Sequence, residues 1–399
     1  MFDVAAIRKE FPALQRQLSG RPVIFADNAS TSLKPLCVIQ AVDYYYRHLC
    51  ANVHRGVNVL AQEVDTLYED ARGSIASLIH ARPAEIVFVR NTTEGINLAA
   101  HLLGLTKQDD IVCSLAEHHS NFLPWLARAN VRCVVPDDQG RVTPRAFLEA
   151  ATPKTKLFAL GHVSNVTGIV SPVAEIIQEA RKRGILTLVD AAQSVTHMPL
   201  DVKALGCDFL AFSGHKMLGP SGIGVLWARE EFLQSRLPML FGGGMVSSVS
   251  ADRFQVQPPP HGFEAGTPNI EGTLGMGAAA EFLMGLGMDN VRQQSRRLAE
   301  ALVSQVASVS GLRAFPQNSP GDRVPIVSFA VGSMSPDDAA AILCNRYNIM
   351  VRSGVHCAEP LVRHFGQKGL VRVSLCLYNT VEEIEYIAES LSALCSVLA

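Results

Sequence analysis

The run DFLAFSGHKMLGPSGIGVLW, Asp208 to Trp227, is where the fold is most readable. Two short apolar segments, DFLAFS and GIGVLW, flank a glycine- and proline-marked turn, and apolar runs of that length bounded by such residues read as buried strands. A Lys directly after Ser-Gly-His at a strand end sits where α/β sheets place reactive groups. Most lysines are solvated surface charges, so Lys216 becomes a candidate only through its neighbours.

Outward from this segment the same texture repeats. VIFAD at Val23, EIVFV at Glu85, DIVCS at Asp110, VRCVV at Val131, KLFALG at Lys156 and LTLVD at Leu186 alternate with helical periodicity, as in Val64 to Leu78 and Ala174 to Arg183. That alternation predicts βαβ units and a mainly parallel sheet covered on both faces. Past Asn269 the texture changes. Helical patterns near Val291 to Val309, Asp337 to Arg346 and from Val381 enclose strand-like VPIVSFAV, NIMVR and VRVSLCL, the pattern of a smaller α+β lobe. The proline run from Gln255 to Gly262 reads as a loop between the lobes, and 399 residues exceed what one core usually supports.

An apolar fraction of 48%, a charged fraction of 18% and a formal net charge of -2 describe a globular protein with no electrostatic call for nucleic acid or an anionic membrane. A small-molecule substrate is the default. The opening MFDVAAIRKEFPALQ is charged where a secretory signal is apolar, and no stretch reaches bilayer length, so a cytoplasmic location is expected. The nine cysteines form no C-x-x-C pair, which fits a reducing compartment and argues against a disulfide framework or a Cys-rich metal site; no metal ligand is expected.

Three further strand ends carry candidate chemistry. LVDAAQ leaves Asp190 at a terminus, where an acid can pair with the cationic ring nitrogen of an electron-sink cofactor. RNTTEGINLAAHLL offers Thr92, Thr93 and the free N–H groups of a new helix to an anion, or an ordinary cap with Glu94 in the first turn. AEHHSNFLPW offers His118 and His119, one of which can lie against a ring. The glycines of GMGAAA at Gly275 imitate a dinucleotide fingerprint, but no strand precedes them.

Taken in order, NVHRGVN, RNTTEGIN, AEHHSNFLPW, GHVSNVTG, VDAAQ, SGHKMLGPSGIG, GGGM, FEAGTPN, RSGVHCAEP and VRVSLCLYNT resemble a known family along nearly the whole chain. It is the class V branch of the fold-type-I pyridoxal-phosphate enzymes and, within it, the group II cysteine desulfurases, with the Suf-type, cysteine sulfinate desulfinase and selenocysteine lyase relatives. The resemblance implies an α/β cofactor domain over residues 15–285 and a smaller domain made of 1–14 plus 286–399 that carries a catalytic cysteine loop. It implies that Lys216 binds pyridoxal phosphate covalently, that Asp190 keeps the ring nitrogen protonated, that His118 stacks on the ring and that Gln193 bonds the ring hydroxyl oxygen.

On the same footing Thr92, Thr93, Ser213 and His215 hold the phosphate, with Thr267 reaching in from the second subunit of a homodimer. Asn165, Arg372, Arg352 and His54 are the implied substrate-binding residues. Cys357, in a short loop, matches the cysteine that takes sulfur from L-cysteine as a persulfide, leaving L-alanine, for delivery to an acceptor protein in iron-sulfur cluster or other sulfur biosynthesis. A buried inert thiol is the commonest state of a free Cys, but the Gly- and Pro-bounded turn and the nearby Arg352 and His356 suggest positive charge that would favour the thiolate.

The chain departs from the family text at Val355, at DAAQ and at FADNAST. L-selenocysteine, cysteine sulfinate and class V aminotransfer remain the alternative chemistries; an aminotransferase needs no thiol at position 357.

Overall fold

The run that ends at Ser213 and its partner across the turn do pair, and the apolar segments before them join the same sheet. The computed structural model describes residues 2–54, 56–316 and 321–396. The strands of this sheet are β1 (Ile86–Val89), β2 (Asp110–Ser114), β3 (Asn130–Val134), β4 (Thr155–Gly161), β5 (Leu186–Asp190), β6 (Phe209–Ser213) and β7 (Gly224–Ala228), in the spatial order β1-β7-β6-β5-β4-β2-β3. Strands β2 to β6 run parallel, whereas β7 is antiparallel to both β6 and β1. The turn from β6 to β7 is too short for a crossover, so β7 has to return antiparallel.

Successive residues of the central strands enter different cores. Phe158, Val189, Leu210 and Phe212 pack on one face, and Leu157, Ala159, Leu188, Phe209 and Ala211 on the other. A strand buried on both faces has to be apolar at every position, which is why these runs show no polar alternation. Helix α1 (Val59–Leu78), helix α2 (Thr92–Leu102) and helix α3 (Ile270–Leu286) cover this sheet. Gly277 lets α3 approach α1 closely, because a Cβ there would lie 2.6 Å from that of Ala71.

A second sheet is built from β8 (Leu312–Phe315), β9 (Ile326–Val331), β10 (Arg352–Gly354) and β11 (Leu370–Ser374), in the antiparallel order β8-β9-β11-β10. Helices α4 (Met288–Ser308), α5 (Pro336–Tyr347) and α6 (Val381–Ser396) bury Leu298, Leu302, Leu343 and Leu391 against Phe329, Val371 and Val373 of that sheet.

Two expectations need correction. VIFAD is no strand of the large sheet: Ile24–Phe25 pairs in parallel with Ile349–Met350, and Ile24 and Ala26 sit in the second core. The segment from Gln255 is no linker between lobes either. Phe254–Val256 forms a hairpin with Val246–Val249, a short helical turn follows at His261–Phe263, and the break between α3 and the next helix comes only at Gly287, with φ +78°. A left-handed φ of that kind suits glycine, which has no Cβ to clash.

Candidate active site

Strand register brings the candidate residues together. Gly161 lies opposite Asp190, Asp190 opposite Ala211, and Ser213 opposite Gly224, so the carboxyl ends of β4, β5 and β6 open at one level. Above them is a cavity of about 290 Å³. Among the expected site residues Thr92, Thr93, His118, Asn165, Asp190, Gln193, Ser213, His215, Lys216, Arg352, Cys357 and Arg372 all line it.

The helical turn Gly214–Lys216 that follows β6 presents Lys216, and its backbone is held firmly. Thr196 donates its hydroxyl to the Lys216 carbonyl at 2.7 Å, while Thr31, Ser32 and Lys34 side chains all donate to the His215 carbonyl. Burial lowers the Lys216 pKa, Arg372 adds to that effect, and Asp190 and Cys357 oppose it. Burial likewise raises the Asp190 pKa, against the pull of Lys216 and the Ala192 N–H, which donates to Oδ1 at 2.9 Å. The two groups thus sustain each other's charge inside an apolar wall.

At the start of α2, Asn91 caps the helix by accepting from the Glu94 N–H. Thr92 donates its N–H to Ser213 Oγ at 2.8 Å, their two hydroxyls lie 2.6 Å apart, and Thr93 Oγ1 lies 2.7 Å from Ser120 Oγ. Ser120 N–H in turn donates to His118 Nδ1, so the neutral ring carries its proton on Nε2. Burial, reinforced by Lys216, pushes the His118 pKa down to about 3, and this imidazole is uncharged at neutral pH.

The opposite wall belongs to the second sheet. Arg372, 3% exposed on β11, donates to Asp27 Oδ1 at 3.0 Å and to the Asn165 carbonyl at 3.1 Å, while its Nε has no hydrogen-bond partner among the described residues. Arg352 reaches Ser30 Oγ at 3.1 Å and lies 3.7 Å from the other Asp27 oxygen. Between β10 and a short helix at Glu359–His364, His356 and Cys357 both adopt φ +53°, a conformation that costs non-glycine residues energy. The loop is tied across the cavity. Asn165 Nδ2 donates to the His356 carbonyl and His119 N–H to the Cys357 carbonyl, each at 2.7 Å.

Cys357 is exposed to the cavity, which sets aside the inert buried thiol. His356 does not supply the positive charge expected of it, because burial pushes its pKa down to about 3. Val355 packs against an apolar cluster that includes Val166, Phe315 and Leu361, which accounts for an apolar residue there.

Two expected residues are elsewhere. Thr267 is exposed and away from this cavity, and His54 packs edge-on against Tyr68 and His261. Two residues that line the site or close it went unread. Asp27 is the partner of both arginines, visible in FADNAST only as an unusual text. Glu117 is fully buried beneath the cavity, accepting from Asn121 Nδ2 and Gly161 N–H, and burial raises its pKa to about 8.

This donor set fits pyridoxal phosphate. An amine of lowered proton affinity, an acid at the neighbouring strand end, an uncharged imidazole and a capped helix start with three hydroxyls offer the covalent, ring and anion contacts such a group requires.

Comparison with known proteins agrees with this geometry. The model of the family described as aminotransferase class-V matches residues 24–387. A probable cysteine desulfurase of Streptomyces coelicolor is 41% identical over 98% of this chain and 97% of its own length, and a cysteine desulfurase of Escherichia coli is 40% identical over 98% of both. The crystal structure of the E. coli cysteine desulfurase CsdA, in an S-sulfonic acid form, superposes with a TM-score of 0.91 at 36% identity over 100% of both chains. The apo structure of a cysteine desulfurase from Thermococcus onnurineus gives 0.91 at 38% identity over 98% of both. With a match that spans almost its entire length and relatives of this identity, the chain belongs to the aminotransferase class-V family, among its cysteine desulfurases.

Proposed function

We propose that the protein takes sulfur from L-cysteine with pyridoxal phosphate as cofactor, leaving L-alanine and a persulfide on Cys357, in the manner of a group II cysteine desulfurase. One observation carries this reading: Cys357 and Lys216 face the same small cavity from opposite walls, close enough that Cys357 acts electrostatically on the Lys216 amine.

Lys216 is the covalent anchor, and Asp190 is the acid that keeps the ring nitrogen protonated. The bound cofactor supplies an electron sink for the bonds broken at the substrate carbons. His118 lies ready to cover one ring face as a neutral imidazole, and Gln193, whose amide already donates to the Ala29 carbonyl, keeps its oxygen side for a polar partner. Thr92, Thr93, Ser213 and His215 take the phosphate.

The substrate carboxylate engages Arg372 and Arg352 in place of Asp27, with Asn165 alongside; the unbonded Arg372 Nε leaves a donor for it. The freed Lys216 amine takes the proton from the substrate Cα and returns one to carbon. Cys357 thiolate attacks the substrate sulfur, an S–S bond forms, the C–S bond breaks, and its electron pair stays on carbon to be protonated, which yields alanine.

The short loop, tied down by Asn165 and His119, supports the group II assignment, since the persulfide stays at the cavity mouth and an acceptor protein must bring its own thiol. We further propose a homodimer in which the exposed Thr267 completes the partner's phosphate site, a cytoplasmic location, and a division into 15–285 and 1–14 plus 286–399 from which two stretches depart: Ile24 and Ala26 pack in the second core, and Ile7, Phe11 and Leu14 in the first. No helix among the described residues is long and apolar enough to cross a membrane, and the cysteines are free.

The test is Cys357→Ala. The variant should keep its yellow cofactor, and its alanine yield from L-cysteine should fall by a hundred-fold or more. Undiminished alanine from L-cysteine would remove Cys357 from the reaction.

A further inference from the structure

The loop before α1 and the turn at His261–Phe263 meet at a second group of chemically capable side chains, well separated in the sequence from the Cys357 loop. One ligand atom each from His54, Glu69 and His261 lies within 4.8 Å of the others. We infer that His54, Glu69 and His261 form a binding site for a zinc-like divalent cation.

The surroundings favour metal binding over a chance cluster. His261 Nδ1 is buried and has no hydrogen-bond partner among the described residues, an arrangement that costs free energy unless something occupies it. His54 holds a left-handed backbone, φ +72°. Asp65 accepts its backbone N–H, and an Asp65 oxygen lies 3.8 Å from the His54 Nδ1. A carboxylate behind an imidazole is the usual device for orienting a metal-binding histidine and fixing its tautomer.

Glu69 now contacts Arg72 at 2.9 Å, but Arg72 does not depend on it. Glu264 pairs with both Arg72 terminal nitrogens, at 2.7 and 2.9 Å, so Glu69 can turn away without leaving a buried cation unpaired. In the single chain the His54 and Glu69 side chains are 25% and 42% exposed, so the cluster is not sealed inside the core. Two imidazoles and a carboxylate suit zinc, whose bonds to such atoms are about 2.0–2.2 Å, and leave a fourth position for water or another donor. A bound ion would tie the loop before α1 to the turn that leads into Gly266 and Thr267.

The experiment uses the cofactor-loaded protein, treated with a chelator and then titrated with Zn²⁺ against a coloured competing chelator. Wild type should bind one Zn²⁺ per chain that His261→Gln and Glu69→Gln each weaken by at least about ten-fold. Both variants should retain the wild-type cofactor spectrum, which reports that they fold. Co²⁺ at the same site should show the intense visible bands of a four-coordinate ion in wild type and lose them in His261→Gln. Zn²⁺ affinity that is the same in wild type and both variants, as binding to the exposed Cys50, Cys133 or Cys357 would give, overturns the proposal, as does wild type that binds no Zn²⁺.

Discussion

The two walls of the cavity are built on different physical terms. The lysine wall is the end of a sheet buried on both faces, where register alone sets Asp190 beside Gly161 and Ala211, and several donors hold the His215 and Lys216 carbonyls. The cysteine wall is a loop of two left-handed residues, exposed at Cys357 and fastened by hydrogen bonds that cross to Asn165 and His119 of the other wall. The first is organised by the fold itself; the second keeps its geometry only while the walls stay in contact. Holding an amine and a thiol in one site therefore asks the sheet for position and the loop for reach.

If that contrast is right, damage to the lysine wall should abolish everything. Lys216→Ala should lose the visible absorbance of the bound cofactor and all turnover, with alanine from L-cysteine at the limit of detection. A Lys216→Ala protein that turned over cysteine at the wild-type rate would contradict the assignment of the anchor.

Loosening the cysteine wall should be milder and selective. Asn165→Ala removes the side-chain bond to the His356 carbonyl and a contact proposed for the substrate carboxylate, and one net hydrogen bond is about 0.5–1.5 kcal/mol. We expect a several-fold fall in alanine formation and a raised KM, with the cofactor spectrum intact. A loss of cofactor in Asn165→Ala would mean that the two walls are not independent.

The smallest effect is on stability against pH. The folded-state pKa of Glu117 is raised to about 8 from its ordinary 4.5, so the folded protein holds a proton that the unfolded chain has released. Its contribution is full below pH 4.5 and disappears as pH rises through about 8. Glu117→Gln should flatten the fall in Tm over that window. Parallel Tm profiles for Glu117→Gln and wild type would show that the carboxyl stays ionised.

The same contrast explains what could be read from the chain. Lys216, Asp190, Ser213 and the helix start at Thr92 follow apolar runs directly, and local pattern places them at strand ends. The cysteine wall depends on contacts between distant residues. Asp27 faces Arg372 from far along the chain, His119 serves Cys357 through its backbone N–H and not its ring, and the short strand at Ile24 finds its partner at Ile349. No periodicity encodes such pairings. His356 looked cationic in the sequence, but burial keeps it neutral, and the desolvation that decides this is a property of the packed fold.

The central claim is that sulfur passes from the substrate to Cys357, and it is best tested in a single turnover. The cofactor-loaded enzyme is mixed with one equivalent of L-cysteine per active site, with no reductant or acceptor, and alanine and the mass of the Cys357 peptide are followed together. The account predicts that alanine appears in step with the added mass of one sulfur atom on the Cys357 peptide, and that an excess of L-cysteine then added to the same enzyme is turned over slowly until an acceptor thiol is supplied. Alanine formed at full rate, turnover after turnover, while the Cys357 peptide gains no sulfur would contradict it.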